Sequence, residues 1–192
     1  MRRYIYFVFL LCCAVNLLLT SCVRQKYVVM DMVHHNPGEA MTESKFLDPS
    51  FLKKNEYGAK VFFLFEAAQF GIDWKSFDPS LFPDTTEAGR WVAEKAEIIH
   101  KKYDAAKKED LQVYCMLDML VLPSLLVEKH RTELTNEQGK LDISKPYTQL
   151  CIRELMKEMF ETFPQLDGLV IRTGETYLHD APYYVGNHPV QN

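Results

Sequence analysis

From residue 58 onwards, short apolar runs alternate with longer stretches in which apolar residues recur at helical spacing. The short runs are almost continuously apolar, which is typical of parallel strands covered on both faces. The longer stretches have the periodicity of helices with one buried side. This alternation predicts an α/β fold with three parallel strands and two helices. The predicted strands are Lys60–Phe65, Leu111–Leu117 and Leu166–Ile171, and the predicted helices follow Asp84 and Pro146.

The starts of the two predicted helices carry residues that helix termini favour. Asp84 and Glu87 form a capping-box-like start, because the Asp84 carboxylate can accept from backbone amides and Glu87 can reach back. Pro146 suits the first turn of the second helix.

The links between these elements differ in length in a regular way. The strand-to-helix links span about 66–83 and 119–145, whereas the helix-to-strand links have only a few residues. Long loops at the carboxyl ends of strands are typical of (β/α) barrels, in which that face carries the functional site. A complete eight-stranded barrel takes about 250 residues. We therefore expect an incomplete TIM-barrel-like domain over residues 58–192, with a missing carboxy-terminal half as a partner.

The amino terminus has the pattern of a bacterial lipoprotein signal. Two arginines precede an apolar run from Tyr4 to Leu19, which is shorter than the roughly 20 residues of a membrane span. The run ends in Leu-Thr-Ser-Cys22, which resembles the lipobox of bacterial lipoproteins. We expect residues 1–21 to be removed and acyl chains on Cys22 to hold the protein in the outer membrane, on its periplasmic side or at the cell surface. An ordinary signal peptide and an uncleaved anchor are the alternatives.

Composition and charge exclude one class of partner. Without residues 1–21 the chain keeps 20 basic against 26 acidic residues, with no cluster of lysine and arginine. Phosphate binding needs such a cluster, so nucleic acid is not an expected partner.

Neither residues 22–57 nor the two cysteines of the domain indicate a cofactor or a metal site. Residues 22–57 are polar and irregular, and we expect them to form a tether and an approach to the domain. Cys115 and Cys151 lie in apolar surroundings and are expected to be buried thiols, with a disulfide in an oxidising compartment as the alternative.

A carboxylate follows each predicted strand. Glu66 comes after the first strand, Asp118 after the second, and Glu175 shortly after the third. Neighbouring strands lie about 4.8 Å apart, so acids at adjacent strand ends can converge on one pocket. Each also has a structural explanation: Glu66 could cap a loop, Asp118 could pair with Arg172, and Glu175 could be solvated.

Aromatic side chains in the same loops favour a sugar as ligand. Aromatic faces stack on the C–H faces of sugar rings, while carboxylates bind hydroxyls or perform acid and base chemistry. Tyr183 and Tyr184 fit such a site or a core under the loop equally well. Besides Arg172, Asp118 and Glu66, the predicted substrate-binding residues are Trp74, Tyr177, His179 and Asp180.

One segment resembles a family of enzymes. Leu141–Pro146, an amphipathic helix, Phe163–Arg172 and then Gly174-Glu175 are similar in order to a segment of TIM-barrel glycoside hydrolases, especially the α-glucuronidase type. The resemblance covers about fifty residues. It implies hydrolysis of glycosidic bonds, with Glu175 as the catalytic general acid. The residues just before Glu175 differ from the family pattern, and the later strands that carry the family's general base are not in this chain.

Two other functions remain as alternatives. A glycan-binding lipoprotein without catalysis would use the same aromatic residues and Arg172. A metal-dependent hydrolase would use a ligand set in the last loop. That set is Glu175, His179 and Asp180, with His188 as an optional fourth ligand.

Overall fold

The computed structural model of the protein describes residues 28–32, 44–63, 66–173, 176, 178 and 180–187. These described residues form a central parallel sheet of four strands, with helices between successive strands. The strands of this sheet are β1 (Met30–Asp31), β2 (Ala59–Phe62), β3 (Gln112–Asp118) and, later in the chain, β5 (Gly168–Arg172). The helices are α1 (Pro49–Lys54), α2 (Glu87–Lys108), α3 (Ser124–Lys129), α4 (Arg131–Leu134) and α5 (Pro146–Thr162).

The order of the sheet follows the chain. β1 pairs with β2, β2 with β3, and β3 with β5, all in parallel. Each parallel connection contains a helix, as parallel pairing requires. The predicted α/β class with parallel strands is therefore confirmed. A sequential parallel order is compatible with an incomplete (β/α) barrel.

The two faces of the sheet differ in what covers them. The outer face packs against α2 and α5, where Phe62, Cys115 and Leu117 join the main core. The Phe62 and Tyr103 rings lie 4.8 Å apart there. The inner face carries a smaller cluster around Val61 and Met116. Alternation along β3 places Asp118 on the inner face with Met116.

Several boundaries differ from those that the sequence predicts. The first long helix is capped by Thr86, whose hydroxyl accepts from the Gly89 amide at 3.0 Å. Asp84 instead pairs with Lys75, so the predicted cap at Asp84 is wrong. The physical reason is a turn at Pro83, whose carbonyl accepts from both the amide and the hydroxyl of Thr86.

The segment before residue 58 is not wholly irregular. Its described parts contain a 3-10 turn at Lys45–Leu47 as well as β1 and α1. β1 is held by a buried ion pair, in which Lys60 Nζ lies 2.9 Å from Asp31 Oδ2. Burying one charge alone is costly, and the pairing offsets that cost on both strands. The prediction of irregular chain across 22–57 is therefore wrong at these positions.

The long loop after β3 has structure of its own. It contains α3, α4 and the short strand β4 (Val121–Pro123), which pairs antiparallel with β6 (Tyr184–Gly186). This second sheet lies beyond the carboxyl ends of β3 and β5, so it fixes the loops at the predicted functional face. Within the described residues, no helix is long and apolar enough to cross a membrane.

Candidate functional site

The carboxyl ends of β3 and β5 are joined by an ion pair between Asp118 and Arg172. The strand register sets the two residues directly opposite each other. Arg172 Nε lies 2.6 Å from Asp118 Oδ1, and Nη2 lies 2.9 Å from Oδ2, which is the bidentate geometry that guanidinium and carboxylate favour. The Asp118 side chain is 2% exposed and that of Arg172 is 25% exposed. The pair therefore presents an oriented guanidinium at the inner face.

This pairing decides the chemistry that is open to Asp118. Both of its oxygens accept from Arg172, so the carboxylate is engaged and shielded rather than poised as a nucleophile or base. The structure thus brings together two of the predicted binding residues, Asp118 and Arg172. They form the ion pair that the sequence analysis gave as the structural explanation for Asp118. A role in orienting Arg172 toward a ligand is consistent with the geometry.

Glu66 lies apart from this pair. Its carboxylate forms an ion pair with Lys102 of α2, and its carbonyl accepts from the Tyr103 hydroxyl at 2.8 Å. Because α2 packs on the outer face, Glu66 is directed away from the inner face that holds Asp118. Glu66 therefore does not join Asp118, and its expected convergence with that residue is not seen.

Trp74 is part of the core in this structure. Its side chain is fully buried and packs edge-on against Phe77 at 6.0 Å. Its backbone φ of 56° is rare for a bulky side chain. The indole nitrogen makes no hydrogen bond of normal geometry within the described structure. The role of Trp74 in substrate binding stays a prediction.

The two adjacent tyrosines have different environments. Tyr184 is 4% exposed, and its hydroxyl donates to the Gln69 carbonyl at 3.2 Å. Burial raises the pKa of Tyr184, and the nearby Trp74 side chain opposes that rise. Tyr183 is partly exposed and lines a cavity. The sequence left these two roles open, because adjacent residues carry no signal of which one turns inward.

The remaining predicted site residues lie largely outside the described residues. These are Glu175, Tyr177, His179, His188 and the predicted lipidation site Cys22. Asp180 is described and exposed. Among the residues that the structure describes, no group of three or more His, Cys, Asp or Glu side chains could hold a metal ion.

The two cysteines of the domain are free and buried, which confirms the prediction of buried thiols. Burial raises the pKa of Cys115 to about 11 and that of Cys151 to about 11. A thiolate is the reactive form of cysteine, so neither residue is suited to act as a nucleophile.

A buried carboxyl group on α5 was not predicted from the sequence. Glu158 is 6% exposed and accepts a hydrogen bond from the Ser76 hydroxyl, which ties α5 to the loop after β2. Burial raises the pKa of Glu158. The Ser76 hydrogen bond opposes the rise, the Asp73 carboxylate adds to it, and the Trp74 backbone and Lys157 oppose it more weakly.

Glu158→Gln is expected to make the protein more stable at pH 7. A raised pKa means that the folded state holds the proton more tightly than the unfolded state does. The stability that this proton contributes is complete below the unfolded pKa and is lost as pH rises through the folded pKa. Glutamine is always uncharged and escapes that loss. Urea unfolding should show that Glu158→Gln has a higher free energy of unfolding than the wild type at pH 7, and that the difference is smaller at pH 4. A lower free energy of unfolding at pH 7 would contradict a raised pKa at Glu158.

Comparison with known proteins gives one structural similarity. No protein-family model matches the chain, and no curated protein matches it. Among solved structures, the fold is similar to a noncanonic maltogenic α-amylase, AmyB, from Thermotoga neapolitana, at 14% sequence identity and a TM-score of 0.47. The match covers 77% of this chain and 39% of the amylase, so the chain spans about two fifths of that protein's length.

Proposed function

We propose that this protein acts on carbohydrate at the carboxyl ends of its parallel strands, as a lipoprotein of the glycoside hydrolase type. The observation that carries the proposal is the bidentate pair of Asp118 and Arg172 at the ends of β3 and β5. In parallel α/β proteins, binding sites form at this edge of the sheet. An oriented, partly exposed guanidinium can donate to sugar hydroxyls or to the carboxylate of a uronic acid.

Hydrolysis in this proposal depends on Glu175. The residue follows Arg172 by three positions, and the sequence resemblance assigns it the role of general acid. Glycoside hydrolysis also needs a second carboxylate, about 5 Å away for retention of configuration and roughly 6.5 to 9.5 Å away for inversion. Asp118 and Glu66 are both engaged in ion pairs with basic residues. Neither is suited to that second role.

The ion pairs of Asp118 and Glu66 favour one alternative function, which is glycan binding without catalysis. A glycan-binding protein without turnover needs the oriented Arg172 but no second catalytic carboxylate. Binding without hydrolysis would therefore identify the protein as a glycan-binding lipoprotein.

The test is a binding and hydrolysis screen of the full chain, purified in detergent. Neutral and uronic-acid-containing oligosaccharides would be titrated by calorimetry, and released reducing ends would be measured in parallel. The proposal expects binding that weakens in Arg172→Lys, because lysine cannot make a bidentate contact. Absence of both binding and hydrolysis across the panel would refute a carbohydrate function.

The membrane anchor is a separate part of the proposal. We propose that Cys22 is acylated and holds the protein in the outer membrane, on the basis of the lipobox-like sequence before it. Cells grown with a labelled fatty acid should incorporate the label into the wild-type protein and not into Cys22→Ser. Equal labelling of both would refute the assignment.

A further inference from the structure

A cavity of about 330 Å³ lies beyond the carboxyl ends of the strands, between the start of α2, the start of α3 and the chain that enters β6. Its volume is within the range of small-molecule sites. Neither Asp118 nor Arg172 lines it, so it is distinct from the ion pair described above. Its walls include Phe82, Pro83, Pro123, Glu128, Pro182 and Tyr183.

Backbone contacts hold the walls of this cavity in place. The Ser124 amide donates to the Tyr183 carbonyl at 2.8 Å, which joins the start of α3 to the chain before β6. Pro123 and Tyr184 are paired in the antiparallel sheet. On the other side, a Cβ at Gly89 would lie 2.1 Å from the Pro83 oxygen, so glycine allows this close approach. A site built from paired strands and helix starts is preformed, which lowers the entropic cost of binding.

The chemistry of the walls indicates the class of ligand. Prolines, Phe82 and the Tyr183 ring make most of the surface apolar. Glu128 at the rim is exposed and makes no ion pair within the described part of the chain. The adjacent Lys129 is paired with Asp78 at 2.8 Å, so its charge is compensated. The Glu128 carboxylate at the rim can therefore accept hydrogen bonds, and the Tyr183 ring offers a ligand a flat apolar surface.

Tyr183 is held so that its ring can serve as that contact. It packs edge-on against Trp91 at 5.7 Å. Burial and the neighbouring Glu87 carboxylate raise the pKa of Tyr183, and Arg90 opposes that rise. An amphipathic ring with one C–H face and several hydroxyl donors fits this combination of aromatic wall and acidic rim.

We propose that this cavity is a second saccharide-binding site, in which one sugar ring stacks on Tyr183 and donates a hydroxyl to Glu128. The proposal rests on the proposed function, because it assigns a further contact to the same class of ligand. It extends the interaction to a part of the glycan that lies away from the Asp118 and Arg172 pair.

Binding of neutral trisaccharides to the full chain tests the proposal. Calorimetry should show an affinity about tenfold lower for Tyr183→Ala, from lost stacking, and unchanged for Tyr183→Phe, which keeps the ring. Glu128→Gln should weaken binding a few-fold, since an amide is a poorer acceptor than a carboxylate. Phe160→Ala and Glu94→Gln alter exposed positions away from the cavity and should bind as the wild type does. Circular dichroism confirms that each variant is folded.

Comparing Tyr183→Ala with Arg172→Lys separates this site from the proposed function. Binding that falls in Arg172→Lys and is unchanged in Tyr183→Ala would overturn the second site and keep the strand-end function. Binding that falls in Tyr183→Ala and is unchanged in Arg172→Lys would support the cavity and contradict the strand-end site. Absence of binding in every protein would overturn both.

Discussion

Replacing Arg172 with alanine is expected to lower the free energy of unfolding by about 3 kcal/mol. With Arg172 in place the Asp118 side chain is only 2% exposed, and the substitution removes the bidentate partner of its carboxylate. A buried charge that has lost its partner keeps its desolvation cost without the compensating attraction. Urea unfolding monitored by circular dichroism would measure the change.

A matched pair on the surface provides the control. Lys53 pairs with Asp110 at 2.8 Å, but the two side chains are 42% and 96% exposed. Lys53→Ala should cost less than about 1 kcal/mol, because solvent screens exposed pairs. The double variant Asp118→Ala with Arg172→Ala should be more stable than Arg172→Ala alone, since it removes the buried charge together with its bidentate partner. Equal effects of Arg172→Ala and Lys53→Ala would show that the strand-end pair is not buried as described.

Glu175→Gln is expected to lower kcat by a factor of about 10² to 10⁴ on any oligosaccharide that the protein hydrolyses. Glutamine has nearly the same shape but cannot donate a proton to the leaving oxygen. Binding should change little, because the amide can still hydrogen bond with a sugar hydroxyl. Initial rates and binding isotherms, measured on the same preparations, separate these two effects.

Glu161→Gln is a suitable comparison, because Glu161 is an exposed residue on α5. It should leave both turnover and binding at the wild-type level. If Glu175→Gln retained turnover within a few-fold of the wild type, the general acid would have to be another residue. If the wild type and Glu175→Gln both bound sugar and neither hydrolysed it, the glycan-binding alternative would replace the enzyme.

The main elements of the sheet could be predicted because their sequence signals are local. Continuous apolar runs identified the strands that became β2, β3 and β5, and helical spacing identified α2 and α5. The burial of both cysteines followed from the same periodicity. In each case a residue's own neighbours determine the pattern, so no knowledge of the distant chain is needed.

β1 could not be predicted because its stability comes from a distant residue. It has only two paired residues, and its buried Asp31 resembles a loop residue until Lys60 is known to lie beside it. The strand β4 is similarly short and depends on β6, which is more than sixty residues further along the chain. Sequence periodicity is undefined over two or three residues.

The strand-end positions of the candidate site residues were predictable, but not all of their contacts were. The sequence placed Asp118 and Arg172 at neighbouring strand ends, where the structure has them paired. It did not reveal that Glu66 turns to the outer face, because that choice depends on Lys102 of α2. Trp74 was predicted to bind substrate because it is aromatic and lies in a loop. Its environment is instead set by its distant or neighbouring contacts with Tyr184 and Phe77, which the local sequence does not reveal.

The most direct test of the strand-end site is an amide chemical-shift map of Glu175→Gln during titration with the best-bound oligosaccharide. We expect saturable shifts at Asp118 and Arg172 and along the carboxyl ends of β3 and β5. Shifts confined to the outer faces of α2 and α5, with Asp118 and Arg172 unchanged at saturation, would contradict it.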